Sequence, residues 1–120
     1  MQILRCASTA DIKPEDHLVV GLVQIAPVWF RRSETLGKIA AGVELAAANN
    51  CQLVVFGEAL VPGYPFWIER TDGARFNDTK QKAIYAHYLS EGVVVERGDL
   101  DSLCQLARTH KIAIYLGIME

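Results

Sequence analysis

Three apolar segments divide the chain, and each of them predicts a β-strand. They are Leu18–Ala26, Gln52–Phe56 and Lys111–Met119. The first is almost wholly apolar and rich in β-branched residues, a pattern typical of a parallel strand that is covered on both faces. Strands of this kind, separated by helical stretches, predict an α/β fold with a mostly parallel sheet.

The stretch between the first two strands predicts a helix. Apolar residues recur at helical spacing over Ser33–Asn50, and the hydroxyl of Ser33 is suited to accept a hydrogen bond from a free backbone N–H as the N-cap. Strand, helix and strand follow one another within about 40 residues, which is the size of one βαβ crossover.

Two further helices are predicted before the third strand. One extends over Asn77–Ser90 with Asn77 as its cap, and the other begins at Asp99 or Asp101 after a brief extended piece at Val93–Val95. The apolar faces consist of Ile84, His87 and Tyr88 in the first helix and of Leu100, Leu103, Cys104 and Ala107 in the second. The predicted order of elements is therefore β-α-β-α-α-β.

A long segment without clear periodicity follows the second strand, GEALVPGYPFWIERTDGARFND at residues 57–78. Loops of this length in a compact domain are often functional. Glu58 stands directly after the strand, and the carboxyl ends of strands are where ligands bind in open α/β sheets. A carboxylate in that place can act as a proton acceptor. The alternative is that Glu58 caps a loop amide or pairs with a nearby arginine.

Aromatic residues follow closely in the same segment. Tyr64, Pro65, Phe66 and Trp67 could line a pocket for an apolar substrate, because such pockets are mostly apolar with few polar groups. They could equally pack against one another as the core of a rigid loop. The residue pattern alone does not decide between the two interpretations.

The cysteines and His87 are expected to have structural roles. Cys6, Cys51 and Cys104 are odd in number and lack CxxC spacing, which argues against a disulfide framework or a zinc site. Cys104 lies on a helical apolar stripe and Cys51 precedes a buried strand, so both are expected in the core rather than as nucleophiles. His87 is expected to be a buried, hydrogen-bonded histidine. Because no phosphate loop, dinucleotide fingerprint or HExxH motif occurs, no cofactor or metal is expected.

Composition narrows the class of protein further. Hydrophobic residues make up 51% of the 120 residues and charged residues 22%, with a net charge of -2, so no basic excess exists to bind nucleic acid. The N-terminus lacks the apolar core of a signal peptide, and no run approaches the roughly 18–20 apolar residues of a membrane span. We therefore expect a soluble cytoplasmic protein with an extension at residues 1–17 and one fold over residues 18–120.

The segment VVFGEALVPGYPFW resembles the first signature of the nitrilase, or carbon–nitrogen hydrolase, superfamily. In that signature a strand delivers a glutamate, and a Gly-Tyr-Pro loop follows. The flanking segments agree, since LVVGLVQIAPVW is similar to the opening strand of the family and Leu103–Glu120 to the helix and strand that lead toward its catalytic lysine. The resemblance covers residues 18–120 and implies the N-terminal part of an α-β-β-α sandwich.

What the resemblance implies is a Cys-Glu-Lys hydrolase. A cysteine thiolate attacks a nitrile or amide carbon, a glutamate acts as general base, and a lysine stabilises the developing negative charge. Only the glutamate maps onto this chain, as Glu58, because neither Cys104 nor Lys111 stands in a matching motif. Since the sequence also stops at Glu120, directly after a strand of buried type, we expect it to be truncated and inactive by itself.

The resemblance also suggests partners and a branch of the superfamily. Tyr64 and Pro65 after Gly63, with the long segment to Asn77, favour a nitrilase whose pocket includes Tyr64, Pro65 and Trp67. An amidase or a carbamoyl-amino-acid hydrolase would keep the same Glu58, and a non-catalytic fragment or interaction module stays open. The expected partners are a small nitrile or amide substrate and further copies of the full-length chain in a homo-oligomer.

Overall fold

The computed structural model describes residues 2–4 and 17–120. In chain order the elements are β1 (Val20–Val23), α1 (Arg32–Ala48), β2 (Leu53–Phe56), α2 (Trp67–Arg70), α3 (Thr79–Ser90), α4 (Asp101–His110) and β3 (Ala113–Tyr115). A short 3₁₀ helix, Val95–Arg97, lies between α3 and α4. The predicted order is confirmed except for α2, a single helical turn within the segment expected to be a loop. Most of the predicted extension at 1–17, including Cys6, lies outside the described residues.

The three strands form one parallel sheet in the order β1-β2-β3. Gly21 is in register with Val54, and Val54 is in register with Ile114. The short apolar segment of β2 therefore lies at the centre of the sheet and is hydrogen-bonded along both sides. The predicted α/β fold with a parallel sheet is confirmed.

One face of this sheet is covered by α1 and α4, which pack against each other. Small residues allow α1 to approach closely, since a Cβ at Gly42 would lie 3.1 Å from the ring of Phe56. Val54, at the middle of the sheet, is fully buried. The buried core consists of Ile39, Val43, Ala46, Val54, Phe56, Leu60, Val61, Val93, Leu103 and Ile112.

The opposite face of the sheet is open in the described part of the chain. Leu22, Val55 and Tyr115 are aligned there, and Leu22 is 81% exposed and Tyr115 68% exposed. The prediction that the first strand is covered on both faces is therefore wrong, because Leu22 in that strand is exposed. The apolar composition of the strand indicates which side chains favour burial, but it does not show which element, if any, covers them. The strands are also shorter than predicted, since β1 and β3 have 4 and 3 residues.

The helix caps differ from those predicted. Ser33 lies inside α1, whose first turn is held instead by the carboxylate of Glu91, which accepts a 2.7 Å hydrogen bond from the N–H of Arg32. The cap of α3 is Asp78, which accepts from the N–H of Gln81 at 3.0 Å, whereas Asn77 precedes the helix with a φ of 58°. None of the helices in residues 17–120 is long and apolar enough to cross a membrane.

An ion-pair cluster ties the segment after α3 to the start of α1. Arg97 donates to both carboxylate oxygens of Asp99, at 2.9 and 2.6 Å, and Arg32 lies 3.4 Å from the same carboxylate. Arg32 also donates to the carbonyl oxygens of Ser90 and Gly92. The hydrogen bonds from Arg97 and from a backbone N–H, with the charge of Arg32, hold the pKa of Asp99 well below its ordinary value of 3.8.

Thr35 offers a test of the packing at the start of α1. Its side chain is fully buried, accepts from the N–H of Val28 at 3.0 Å and donates to the carbonyl oxygen of Val28 at 3.0 Å. Thr35→Val keeps the shape but leaves the N–H of Val28 without an acceptor, so we expect the free energy of unfolding to fall by about 1–3 kcal/mol. The carbonyl oxygen of Val28 loses one donor and still accepts from the N–H of Arg31 at 3.0 Å. Chemical denaturation measures this loss. Ser33→Ala is the control and should change stability by less than about 0.5 kcal/mol, because Ser33 caps nothing; equal losses in the two variants would contradict the assignment.

Asp99 offers a test at acid pH. Because its pKa is lowered in the folded protein, its contribution to stability is present above the pKa of the unfolded state and is lost as the pH falls. We expect the drop in the free energy of unfolding between about pH 7 and about pH 3 to be smaller in Asp99→Asn than in the unmodified protein. Denaturant titrations at several pH values measure it. Parallel pH profiles for the two proteins would show that Asp99 does not carry the effect.

Candidate active site

Glu58 lies where the central strand ends. β2 stops at Phe56, Gly57 and Glu58 leave the sheet, and the side chain of Glu58 is exposed. The five residues that follow, 59–63, are all buried. Among the described residues the carboxylate forms no hydrogen bond or ion pair, so the contacts that the structural alternative requires are not seen there. The sequence therefore presents a carboxylate at the carboxyl end of a parallel strand, as predicted from its position.

An open groove of about 330 Å³ lies at the carboxyl ends of β1 and β2, beside Glu58. It is lined by Leu22, Val23, Gln24, Ile25, Val55, Phe56 and Gly57. The volume is within the range of sites that bind small molecules, and most of the lining side chains are apolar. The site thus combines an apolar groove that ends at Gly57 with the carboxylate of the next residue, which has no hydrogen-bond or ion-pair partner in the part of the chain that the structure describes.

The turn after Glu58 has an unusual backbone. Ala59 has a φ of 46°, which is the left-handed region that residues with a Cβ rarely adopt. The Val61–Pro62 peptide bond is cis. Val61 then pairs with Ile118 beyond the end of β3, and the N–H of Met119 donates to the carbonyl oxygen of Val61 at 2.8 Å. The backbone returns to the core immediately after the exposed carboxylate.

The first part of the aromatic loop packs on Trp29. Gly63 has a φ of 122°, and a Cβ there would lie 2.5 Å from the Trp29 ring, so only glycine fits this turn. The ring of Phe66 lies 4.3 Å from that of Trp29. Of the two residues between Gly63 and Phe66 in the sequence, Tyr64 is 51% exposed and Pro65 is half-buried. Phe66 thus follows the packing interpretation, whereas the ring of Tyr64 is available to solvent.

Trp67 faces helix α3. Its ring lies 5.9 Å from that of Tyr88 and 6.4 Å from that of Tyr85, and its indole N–H is buried without an acceptor among the described residues. It borders a second cavity of about 220 Å³, which is also lined by Ile68, Gly73, Arg75, Asn77, Asp78, Gln81, Lys82 and Tyr85. Neither this cavity nor the groove beside Glu58 is lined by Tyr64 or Pro65. The role of Tyr64, Pro65 and Trp67 in a substrate pocket stays a prediction.

Tyr88 anchors the start of the aromatic loop through a hydrogen bond to its backbone, a role that the sequence did not reveal. Its side chain is 3% exposed, and its hydroxyl donates to the carbonyl oxygen of Gly63 at 3.0 Å. Burial raises the pKa of Tyr88 above its ordinary value. The helical pattern placed Tyr88 on the inner face of its helix, but the partner of its hydroxyl is 25 residues away and leaves no local signal.

Two side chains expected in the interior lie at the surface. His87 is exposed and stacks on the ring of Phe30 at 5.4 Å, in the last turn of α3. Cys104 is exposed because the buried face of α4 centres on Leu103, and the next residue is turned about 100° around the helix. Cys51 is half-buried against the core. Within residues 2–4 and 17–120, no three His, Cys, Asp or Glu side chains are grouped so that they could hold a metal ion.

Comparison with known protein families identifies the family of this chain. The carbon–nitrogen hydrolase model matches residues 19–120, which include β1, the Glu58 turn and β3. The chain belongs to the carbon–nitrogen hydrolase family. This confirms the resemblance drawn from VVFGEALVPGYPFW, and the α/β architecture with its parallel sheet agrees with the fold of the family.

Several carbon–nitrogen hydrolases of known name are similar to the chain. It is 33% identical over 104 residues to an aliphatic nitrilase of Rhodococcus rhodochrous, covering 84% of this chain and 26% of that protein. It is 35% identical over 101 residues to an arylacetonitrilase of Aspergillus niger, with 84% and 29% covered. A protein named nitrilase 2, from an unknown prokaryotic organism, is 29% identical over 104 residues, with 87% and 32% covered. The chain thus spans less than a third of the length of these relatives.

Tyr88→Phe tests how the aromatic loop is anchored. The change removes the donor to Gly63 and leaves a buried carbonyl oxygen unpaired, so we expect the free energy of unfolding to fall by about 1–3 kcal/mol. Tyr85→Phe is the matched control, because Tyr85 is on the same helix and near the same Trp67 ring but is 51% exposed. It should change stability by less than about 0.5 kcal/mol. Equal effects of the two substitutions, measured by denaturant unfolding, would exclude an anchoring role for the Tyr88 hydroxyl.

Proposed function

We propose that the protein is a nitrilase that converts a nitrile to a carboxylic acid and ammonia, with Glu58 as the general base. The observation that carries the proposal is the exposed carboxylate of Glu58 at the carboxyl end of β2, beside an apolar groove. Its support is the membership of the chain in the carbon–nitrogen hydrolase family and its similarity to proteins named nitrilases.

In this mechanism Glu58 serves two successive steps. It first takes the proton of a cysteine thiol as the sulfur attacks the nitrile carbon, and the nitrile nitrogen gains a proton as a thioimidate forms. Glu58 then activates a water molecule that attacks the thioimidate, so that ammonia leaves and a thioester remains. A second water molecule hydrolyses this thioester, which releases the carboxylic acid and the free thiol. A general base has to come within hydrogen-bond distance of the groups from which it takes protons, and the side chain of Glu58 is exposed and accessible to them.

The mechanism also requires a cysteine nucleophile and a lysine that stabilises negative charge. Cys104 and Lys111 do not stand in the motifs that carry these groups, and both are exposed. We therefore expect residues 1–120 by themselves to release no ammonia from nitriles, and the activity proposed here belongs to a protein that supplies all three groups.

The groove favours an apolar substrate. Its lining offers aliphatic and aromatic surface and one polar side chain, Gln24, so a nitrile with an aliphatic or aryl substituent would bury its apolar part there. Tyr64, Pro65 and Trp67 remain the residues that we propose for the substrate pocket. The homo-oligomeric state and the cytoplasmic location expected from the sequence stay predictions.

Glu58→Gln tests the proposal in the complete protein. The amide keeps the size of the side chain but cannot accept the proton, so we expect kcat/KM for nitriles to fall by about 10²–10⁴-fold. Ammonia release from an aliphatic and an arylaliphatic nitrile measures the loss, and circular dichroism checks the fold. Glu69→Gln, at an exposed position on α2, is the control and should retain the parental rate. Full activity in Glu58→Gln would show that another group is the base.

A further inference from the structure

We propose that Gly117 is a positioning residue for Glu58, because it allows the 117–119 segment to pack directly against the turn that carries the carboxylate. This inference rests on the proposed function of Glu58 as the general base. It concerns the backbone of the turn and assigns Gly117 no contact with substrate.

The packing of Gly117 leaves no room for a side chain. A Cβ there would lie 2.5 Å from the carbonyl oxygen of Gly57, 2.7 Å from the Cα of Glu58 and 2.7 Å from the backbone nitrogen of Ala59. All three atoms belong to the backbone, so rotation of a side chain cannot relieve the overlap. Any residue larger than glycine at position 117 has to move the backbone at Glu58.

Hydrogen bonds keep the 117–119 segment in this place. The N–H of Val61 donates to the carbonyl oxygen of Gly117 at 3.4 Å, and the N–H of Met119 donates to that of Val61 at 2.8 Å. On the other side, the N–H of Val93 donates to the carbonyl oxygen of Met119 at 2.7 Å. A Cβ at Gly92 would lie 3.2 Å from that same oxygen. The segment is therefore confined between the Glu58 turn and Gly92–Val93, and it cannot withdraw without breaking these bonds.

The Glu58 turn depends on this support. The strand pairing of β2 ends at Phe56 with β1 and at Val55 with β3, so Glu58 lies beyond the sheet ladder. Ala59 is in the left-handed region, a conformation that persists where the surrounding structure enforces it. Because the carboxylate of Glu58 has no protein partner among the described residues, the placement of its backbone decides where the base stands. A misplacement of about 1 Å can cost about 10²-fold in rate.

Three glycine substitutions in the complete protein form a graded test. Gly117→Ala forces backbone displacement at Glu58. Gly92→Ala presses more mildly on the far side of the 117–119 segment, because its Cβ would lie 3.2 Å from the carbonyl oxygen of Met119 and 3.1 Å from that of Leu89 on α3. Gly37→Ala is the control, because no atom lies within 4 Å of its Cβ position on α1. Each variant is made with Glu58 intact and in the Glu58→Gln background. The measurements are kcat and KM for a nitrile, with circular dichroism and thermal unfolding of every protein.

We expect Gly117→Ala to lower kcat by about 10–10³-fold with KM changed less than about threefold, and Gly92→Ala to lower kcat less. In the Glu58→Gln background, Gly117→Ala and Gly92→Ala should each lower kcat by no more than about threefold, because the residue through which they act has lost its function. Gly37→Ala should change kcat in neither background.

Equal losses in the two backgrounds, or no loss in a folded Gly117→Ala protein, would overturn the inference. If Gly117→Ala does not fold, Gly92→Ala decides by the same comparison. The proposed function fails separately, since it is excluded only when Glu58→Gln by itself retains full activity.

Discussion

The pairing of β2 with strands on both sides is the constraint on which the rest of the structure depends. All four of its residues, Leu53–Phe56, pair with β1, and the first three pair with β3 as well. Val54 and Phe56 are buried beneath the helices that cover the sheet. Phe56, the last residue of the strand, packs on α1 at Gly42. Because the strand ends there, Gly57 and Glu58 emerge at the carboxyl edge of the sheet, beside the groove.

The region after this strand is ordered mainly through its backbone. Gly63 packs on the ring of Trp29, Gly117 packs on the turn at Glu58, and the hydroxyl of Tyr88 holds the carbonyl oxygen of Gly63. Contacts of this kind leave little freedom, because a displaced backbone cannot adjust as a side chain rotamer can. The exposed carboxylate therefore follows closely packed backbone, which would suit the general base that we propose.

Features carried by short runs of sequence could be predicted. The strand LVVF followed by Gly57 and Glu58 is such a run, and both its parallel pairing and the position of Glu58 were predicted correctly. Features that depend on distant partners could not be predicted. The carboxylate of Glu91 accepts from the N–H of Arg32 from 59 residues away, whereas the local residue pattern indicates only Ser33 as a cap. Cys104 was misplaced for a different reason, since one residue on a helix changes the direction of a side chain by about 100°.

Three carboxylates of the fold have protein partners that stabilise their negative charge, and Glu58 differs from them. Asp99 is bound by two guanidinium groups, Asp78 accepts from the first turn of α3, and Glu91 accepts from the first turn of α1. Each of these three carboxylates accepts hydrogen bonds that hold elements of the fold together. Protonation of Asp78 or Asp99 would cost stability, because the pKa of each is lowered in the folded protein. Glu58 differs, because among the described residues its backbone is tightly held while its carboxylate has no protein partner. A carboxylate that forms no described contact with the fold, yet follows closely packed backbone, is suited to the role of general base that we propose for Glu58.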